Sequence, residues 1–167
     1  PDSGEIRIFG EPLTPNLKHR IGYLPEERGL YPKQRVGEVL AFLGQLKGLP
    51  HHVAVARVDR WLDRVGLLEV KKKRIRELSK GMQQKVQLAA VLLHEPEFLI
   101  MDEPFSGLDP VNRLLIIDIM KEAAAKGTTV ILSTHLMDQV EALCARVFLV
   151  NKGREVLSGA VREIRER

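Results

Sequence analysis

Four consecutive apolar residues, Phe98-Leu99-Ile100-Met101, run straight into Asp102-Glu103-Pro104. A run this short, with no polar residue on either face, reads as a buried strand. Residues 128–132, two threonines followed by Val130-Ile131-Leu132, read as a second buried strand and lead into Ser133-Thr134-His135. Residues 111–125 between them read as a largely apolar helix, and upstream Ile21-Gly22-Tyr23-Leu24 is a shorter strand stopped by Pro25. Strands alternating with helices predict an α/β domain on a parallel sheet with right-handed crossovers.

The rest of the chain fits around that core. Residues 5–9 alternate with period two and read as a strand ended by Gly10-Glu11-Pro12. From residue 36 to about 70 the apolar spacing becomes helical: Val36, Val39, Leu40, Leu43, Leu46, then Val58, Trp61, Leu62, Val65. Leu49-Pro50 separates two helices and Gly66 ends the second. Residues 36–77 are therefore expected to form a helical subdomain inserted into a core made of residues 1–35 and 78–167. The basic run at residues 71–76 reads as a solvated face. Ser79 can cap a helix carrying Met82, Val86, Ala89, Ala90 and Leu93, closed by Glu95-Pro96. A helix over residues 136–144 and a strand over 147–150 follow. Residues 155–157 pair back as a hairpin across Asn151-Lys152-Gly153. Trp61, Met101 and Met137 read as packing residues.

Composition narrows the classes. The 167 residues are 44% hydrophobic and 29% charged, which suits a folded domain and excludes intrinsic disorder. No run approaches the eighteen or so apolar residues of a membrane span. Asp2, Glu5 and Arg7 interrupt the first ten residues, so these do not read as a secretion signal. A lone cysteine, Cys144, rules out an internal disulfide framework or a cysteine-built zinc cluster and fits a reducing compartment. His51 and His52 lack a third ligand, so no metal site is expected there. The net charge of +4 permits an acidic partner without requiring one.

The chemistry lies where the apolar strands stop, because parallel α/β sheets bind ligands at the carboxyl ends of their strands. Paired carboxylates at a strand tip are costly unless a cation or a proton transfer uses them. Asp102 is suited to magnesium, which takes oxygen ligands and keeps part of its water shell. Glu103 is suited to orienting or deprotonating an attacking water. His135, at the tip of the second strand, can reach a terminal phosphate. Ser79 and Gly81 open a helix whose free N–H groups and dipole favour an anion, with Gly81 allowing close approach. Asp109 and Pro110 read as cap and first residue of the next helix.

The order of these segments is the distinctive feature. Leu78-Ser79-Lys80-Gly81-Met82-Gln83-Gln84-Lys85, then residues 98–104, Ser106-Gly107-Leu108-Asp109-Pro110, and Ser133-Thr134-His135 resemble the ATP-binding-cassette (ABC) ATPases. They look like the signature motif, Walker B, D-loop and H-loop of that family, in the expected succession. Ile21-Gly22-Tyr23-Leu24-Pro25-Glu26 resembles its Q-loop region, with Glu26 where a glutamine is usual. Lys80 and Met82 replace a glycine and a glutamine of the commonest signature. This wording, with the stretch from Tyr23 to Pro32, is similar to the subfamily that powers ABC-2-type exporters of sodium and drugs.

The resemblance implies ATP and Mg2+ as ligands, with Asp102 and Glu26 on the metal and Glu103 and His135 as catalytic residues. It further implies that Ser79 and Gly81 bind the nucleotide of a second, facing ATPase subunit, and that Asp109 couples the two sites. The partners expected are that second subunit and an ABC-2-type membrane permease, with no nucleic acid, at a cytoplasmic position peripheral on the inner face of the membrane. The alternative is a cassette ATPase that acts on DNA or ribosomes. None of the thirteen glycines precedes a lysine, so the family's Walker A phosphate loop is not among these residues. The chain is therefore expected to be a partial core, lacking the N-terminal part, and inactive by itself.

Overall fold

The computed structural model describes residues 3–27 and 29–165. They fall into two compact units, the first ending at Leu132 and the second beginning at Ser133. The first opens on a small antiparallel hairpin, β1 (Arg7–Ile8) and β2 (Glu11–Pro12). This departs from the single strand expected over residues 5–9. Phe9 and Gly10 both take positive φ, 56° and 78°, and so reverse the chain in the manner of a two-residue hairpin turn. Phe9 is held by tertiary contacts: its ring meets Phe98 edge-on at 6.3 Å, and the Arg20 guanidinium lies 4.3 Å above it.

Next come β3 (Ile21–Leu24), α1 (Val36–Leu46), α2 (His51–Arg64), α3 (Lys80–Leu92), β4 (Phe98–Asp102), α4 (Pro110–Ala125) and β5 (Thr129–Ser133). The sheet order is β3-β4-β5, and β3 runs parallel to β4 with Ile21 opposite Phe98 and Leu24 opposite Met101. The α/β class and the parallel pairing are as expected. The strands are less enclosed than the apolar runs suggest. Leu99 and Met101 are fully buried, whereas Phe98, Ile100 and Asp102 on the other face are only half-buried. Tyr23, level with Ile100, is 53% exposed. The covered face is the one α3 packs on. An added Cβ at Gly22 would lie 2.9 Å from Val91 and 3.0 Å from Leu99 and Pro96, so the strand approaches as closely as only glycine permits.

Polar side chains brace this packing from outside the core. Arg20 clamps Glu97 through two parallel bonds of 2.7 Å, joining the starts of β3 and β4. Arg57 on α2 donates to Leu93 O and to Glu95, both at 2.8 Å, closing the end of α3. Arg64 of α2 pairs with Glu122 of α4. Trp61 is half-buried and Met101 fully buried, in keeping with a packing role.

Beneath the amino end of β3 lies a cationic cluster with a measurable signature. Lys47 Nζ donates to the carbonyls of Lys18 (2.8 Å) and Ile21 (2.9 Å), and His94 Nε2 lies 3.2 Å from the same Ile21 oxygen. Burial, and then the neighbouring Lys47, His19 and Arg57 charges, lower the His94 imidazole from its ordinary 6.5 to about 4, against the Ile21 bond that raises it. A folded-state value below the unfolded one means that the unfolded chain takes up the proton first as pH falls. Stability therefore declines from about pH 6.5 towards pH 4. For a half-buried group the expected loss is about 1–2 kcal/mol after allowing for solvent screening. Urea unfolding across that window measures it, and His94→Gln, which can still donate to Ile21 O, is expected to flatten the slope.

The second unit contains α5 (Met137–Leu143), the antiparallel pair β6 (Arg146–Asn151) and β7 (Arg154–Ala160), and α6 (Val161–Arg165). The hairpin forms where expected, turning at Lys152 and Gly153 with φ of 49° and 73°. Met137 corrects the packing expectation: it is 51% exposed.

Candidate functional site

β4 ends at Asp102, and the next residue leaves the strand geometry. Glu103 takes φ 43°, a left-handed conformation that costs a residue with a Cβ roughly 1–2 kcal/mol. In a continued strand it would follow Leu99 and Met101 onto the fully buried face, where a carboxylate would be far more expensive. The turn avoids this. Ser106 N–H donates to Glu103 O (3.0 Å), Leu108 N–H to Phe105 O (3.3 Å), and the Phe105 ring is buried as an anchor. Asp102 and Glu103 both emerge half-buried.

The register of β3 against β4 sets Pro25 and Glu26 at the same carboxyl edge as Asp102 and Glu103, with Glu26 exposed. Two residues not anticipated from the sequence hold these loops. Gln87, buried on α3, donates from Nε2 to Pro25 O (3.4 Å) and Glu27 O (3.3 Å). Gln84, one turn earlier and also buried, reaches Pro104 O at 3.5 Å. The signal was present: two amides three residues apart, the second of them directly between Val86 and the apolar run Leu88-Ala89-Ala90. Buried amides need partners, and backbone carbonyls of adjacent loops supply them.

At the start of α3, Ser79 Oγ accepts the Met82 N–H (3.3 Å), the cap expected from the sequence. Gln83 secures the approach by donating to Ile75 O (3.2 Å) and Leu78 O (3.0 Å). Gly81 follows in the first turn. An added Cβ there would meet nothing nearer than Asn112 and Leu108, each at 3.9 Å. The fold itself does not require glycine at this position. Asp109 caps α4: its two carboxylate oxygens accept the Asn112 N–H (2.9 Å) and side-chain amide (2.5 Å). Those two bonds hold its carboxyl below the usual range.

The first unit thus assembles Glu26, Asp102 and Glu103 at one sheet edge, and sets Gly81 against the start of the helix that Asp109 caps. His135 belongs to the second unit, two residues past the end of β5, and is exposed. Thr134 Oγ1 accepts the Leu136 N–H ahead of α5. Among the described residues no three acidic, histidine or cysteine groups are grouped to hold a metal unaided. The hard oxygen donors of Asp102 and Glu26 nonetheless suit magnesium, which is usually held by one or two carboxylates together with phosphate and water.

A parallel α/β layer with carboxylates at its strand ends defines a fold class that binds ligands at that edge. This chain belongs to the ABC transporter family, whose model matches residues 1–106. It is 46% identical over 99% of its length to an uncharacterised ABC transporter ATP-binding protein of Alkalihalophilus pseudofirmus, and 39% identical over 95% to a linearmycin resistance ATP-binding protein of Bacillus subtilis. It spans 62% and 52% of those two relatives. A solved ATP-binding subunit of an ABC transporter superposes with a TM-score of 0.90 at 32% identity, over 98% of this chain and 70% of that one. No helix among the described residues is long and apolar enough to cross a membrane.

Proposed function

We propose that this chain supplies most of the catalytic layer of an ATP-hydrolysing subunit that drives an ABC-2-type exporter, in a protein of the length its relatives have. The observation that carries the reading is the left-handed Glu103 directly after Asp102, which turns a second carboxylate out of the core at the ligand-binding edge. Asp102, with Glu26, would hold Mg2+ against the phosphates, and the ion would neutralise charge there. Glu103 would take the proton of the attacking water, and His135 would hold that water and the terminal phosphate in register. Ser79 and Gly81 would meet the nucleotide of a facing subunit, and Asp109 would join the two sites. Residues 36–77 would act as the helical subdomain that transmits the resulting motion to the permease. Peripheral placement on the inner face of a membrane follows from that role. The relative named for linearmycin resistance supports a task of this kind.

Affinity purification of the full-length subunit from membranes tests the assignment. Co-isolation of a polytopic membrane protein, with ATPase activity that depends on Mg2+, is the expected result. Recovery with ribosomes or DNA in a salt-sensitive manner, and with no membrane protein, would replace the exporter reading.

A further inference from the structure

One face of α3 runs along β3. Val91 lies against Gly22 within the strand, where an added Cβ would stand only 2.9 Å away. Gln87, one turn earlier on the same face, lies against the segment that leaves the strand. The close fit at Val91 thus fixes how far the Gln87 side chain reaches. Its Nε2 donates to Pro25 O at 3.4 Å and to Glu27 O at 3.3 Å. Those carbonyls belong to the residues on either side of Glu26. One amide nitrogen therefore holds the backbone before and after a single exposed carboxylate.

Packing alone does not account for a glutamine here. Gln87 is 4% exposed, and its Oε1 is buried without a hydrogen-bond partner among the described residues. An unbranched apolar side chain of similar length would fill the space and leave no acceptor orphaned. It could not donate. The position carries a polar group at a cost, and what the group does there is hold two carbonyls. Gln84, the other buried amide of this helix, reaches Pro104 O instead.

We infer that Gln87 is the positioning residue for Glu26, fixing the direction from which that carboxylate meets Mg2+. It acts through the loop backbone and touches neither the ion nor the nucleotide. The inference rests on the reading of Glu26 as a magnesium ligand and names the side chain that sets that ligand in place. A carboxylate on an untethered exposed turn samples many orientations, and the metal must order it on binding. With the backbone on both sides tied to a helix packed on the sheet, much of that order is present beforehand.

Gln87→Met in the full-length subunit removes both donors and keeps the length and helix-forming character of the side chain. Without metal or nucleotide, cleavage after Glu26 and Glu27 by a glutamate-specific protease is expected to accelerate at least about fivefold, because the turn opens more often. Gln84→Met, the same change one turn away, should leave cleavage at those two bonds unchanged. The Mg2+ concentration that gives half-maximal turnover is expected to rise about tenfold in Gln87→Met. Both kcat at saturating Mg2+ and the unfolding temperature should stay near the parent values. A purely structural role would lower those two together and leave the Mg2+ dependence alone. Gln87→Leu carries the same measurements if the methionine variant does not fold. Parent-like cleavage after Glu26 and Glu27 would overturn the inference. So would an unchanged Mg2+ dependence in Gln87→Met beside a Glu26→Ala variant that shifts it, and that outcome leaves Glu26 as a ligand. An unchanged Mg2+ dependence in Glu26→Ala would instead remove Glu26 from the metal, and this inference with it.

Discussion

Replacing Glu103 with glutamine in the full-length subunit is expected to cut steady ATP turnover by about 10²–10⁴-fold, the usual contribution of a positioned general base. Nucleotide affinity should stay close to that of the parent. The amide has the same size and can still hydrogen-bond, but it cannot accept the proton of a water molecule. The left-handed backbone at this residue depends on the turn through Ser106 and Leu108 and on the buried Phe105, none of which the substitution touches. The variant should therefore fold normally, and lost turnover cannot be assigned to a lost structure. Phosphate release and equilibrium binding of Mg-ATP, measured on the same preparation, decide the matter. Turnover near the parent rate would remove Glu103 from the base role.

Gly81→Ala is expected to separate stability from activity in the opposite sense. In the first turn of α3 an alanine favours the helix by about 0.5–1 kcal/mol over glycine. Its Cβ would meet only ordinary contacts at 3.9 Å with Asn112 and Leu108. The chain should thus unfold at the same or a slightly higher temperature. Turnover of the full-length subunit is expected to drop by at least about a hundredfold, because the added methyl group stands between the helix N–H groups and an approaching phosphate. If turnover survived with stability raised, close approach at Gly81 would play no part in the reaction.

The helices were the most legible part of the chain. The spacing of Val36, Val39, Leu40 and Leu43 and the stops at Leu49-Pro50 and Gly66 lead directly to α1 and α2, since periodicity and backbone constraint are both local. The cap at Ser79 was legible for the same reason. The hairpin at β1 and β2 was not, because phenylalanine carries no preference for positive φ and its place is decided by Phe98 and Arg20, distant in sequence. Nor did four apolar residues in β4 reveal that one face would be only half-covered: composition reports what a strand can tolerate, not what lies over it. Asp102 and Glu103 stood out by type, but the backbone reversal that gives the second its position has no signature in Asp-Glu-Pro. The basic run concealed most. Its charges suggested solvent, whereas its carbonyls and N–H groups were committed to the entry of α1.

The amides of Gln84 and Gln87 have a mechanical consequence. One helix grips the segment after β3 and the segment after β4 from its interior, while its first turn lies against the start of α4. Displacing that helix would act on both segments together, so a change at one strand end would be felt at the other.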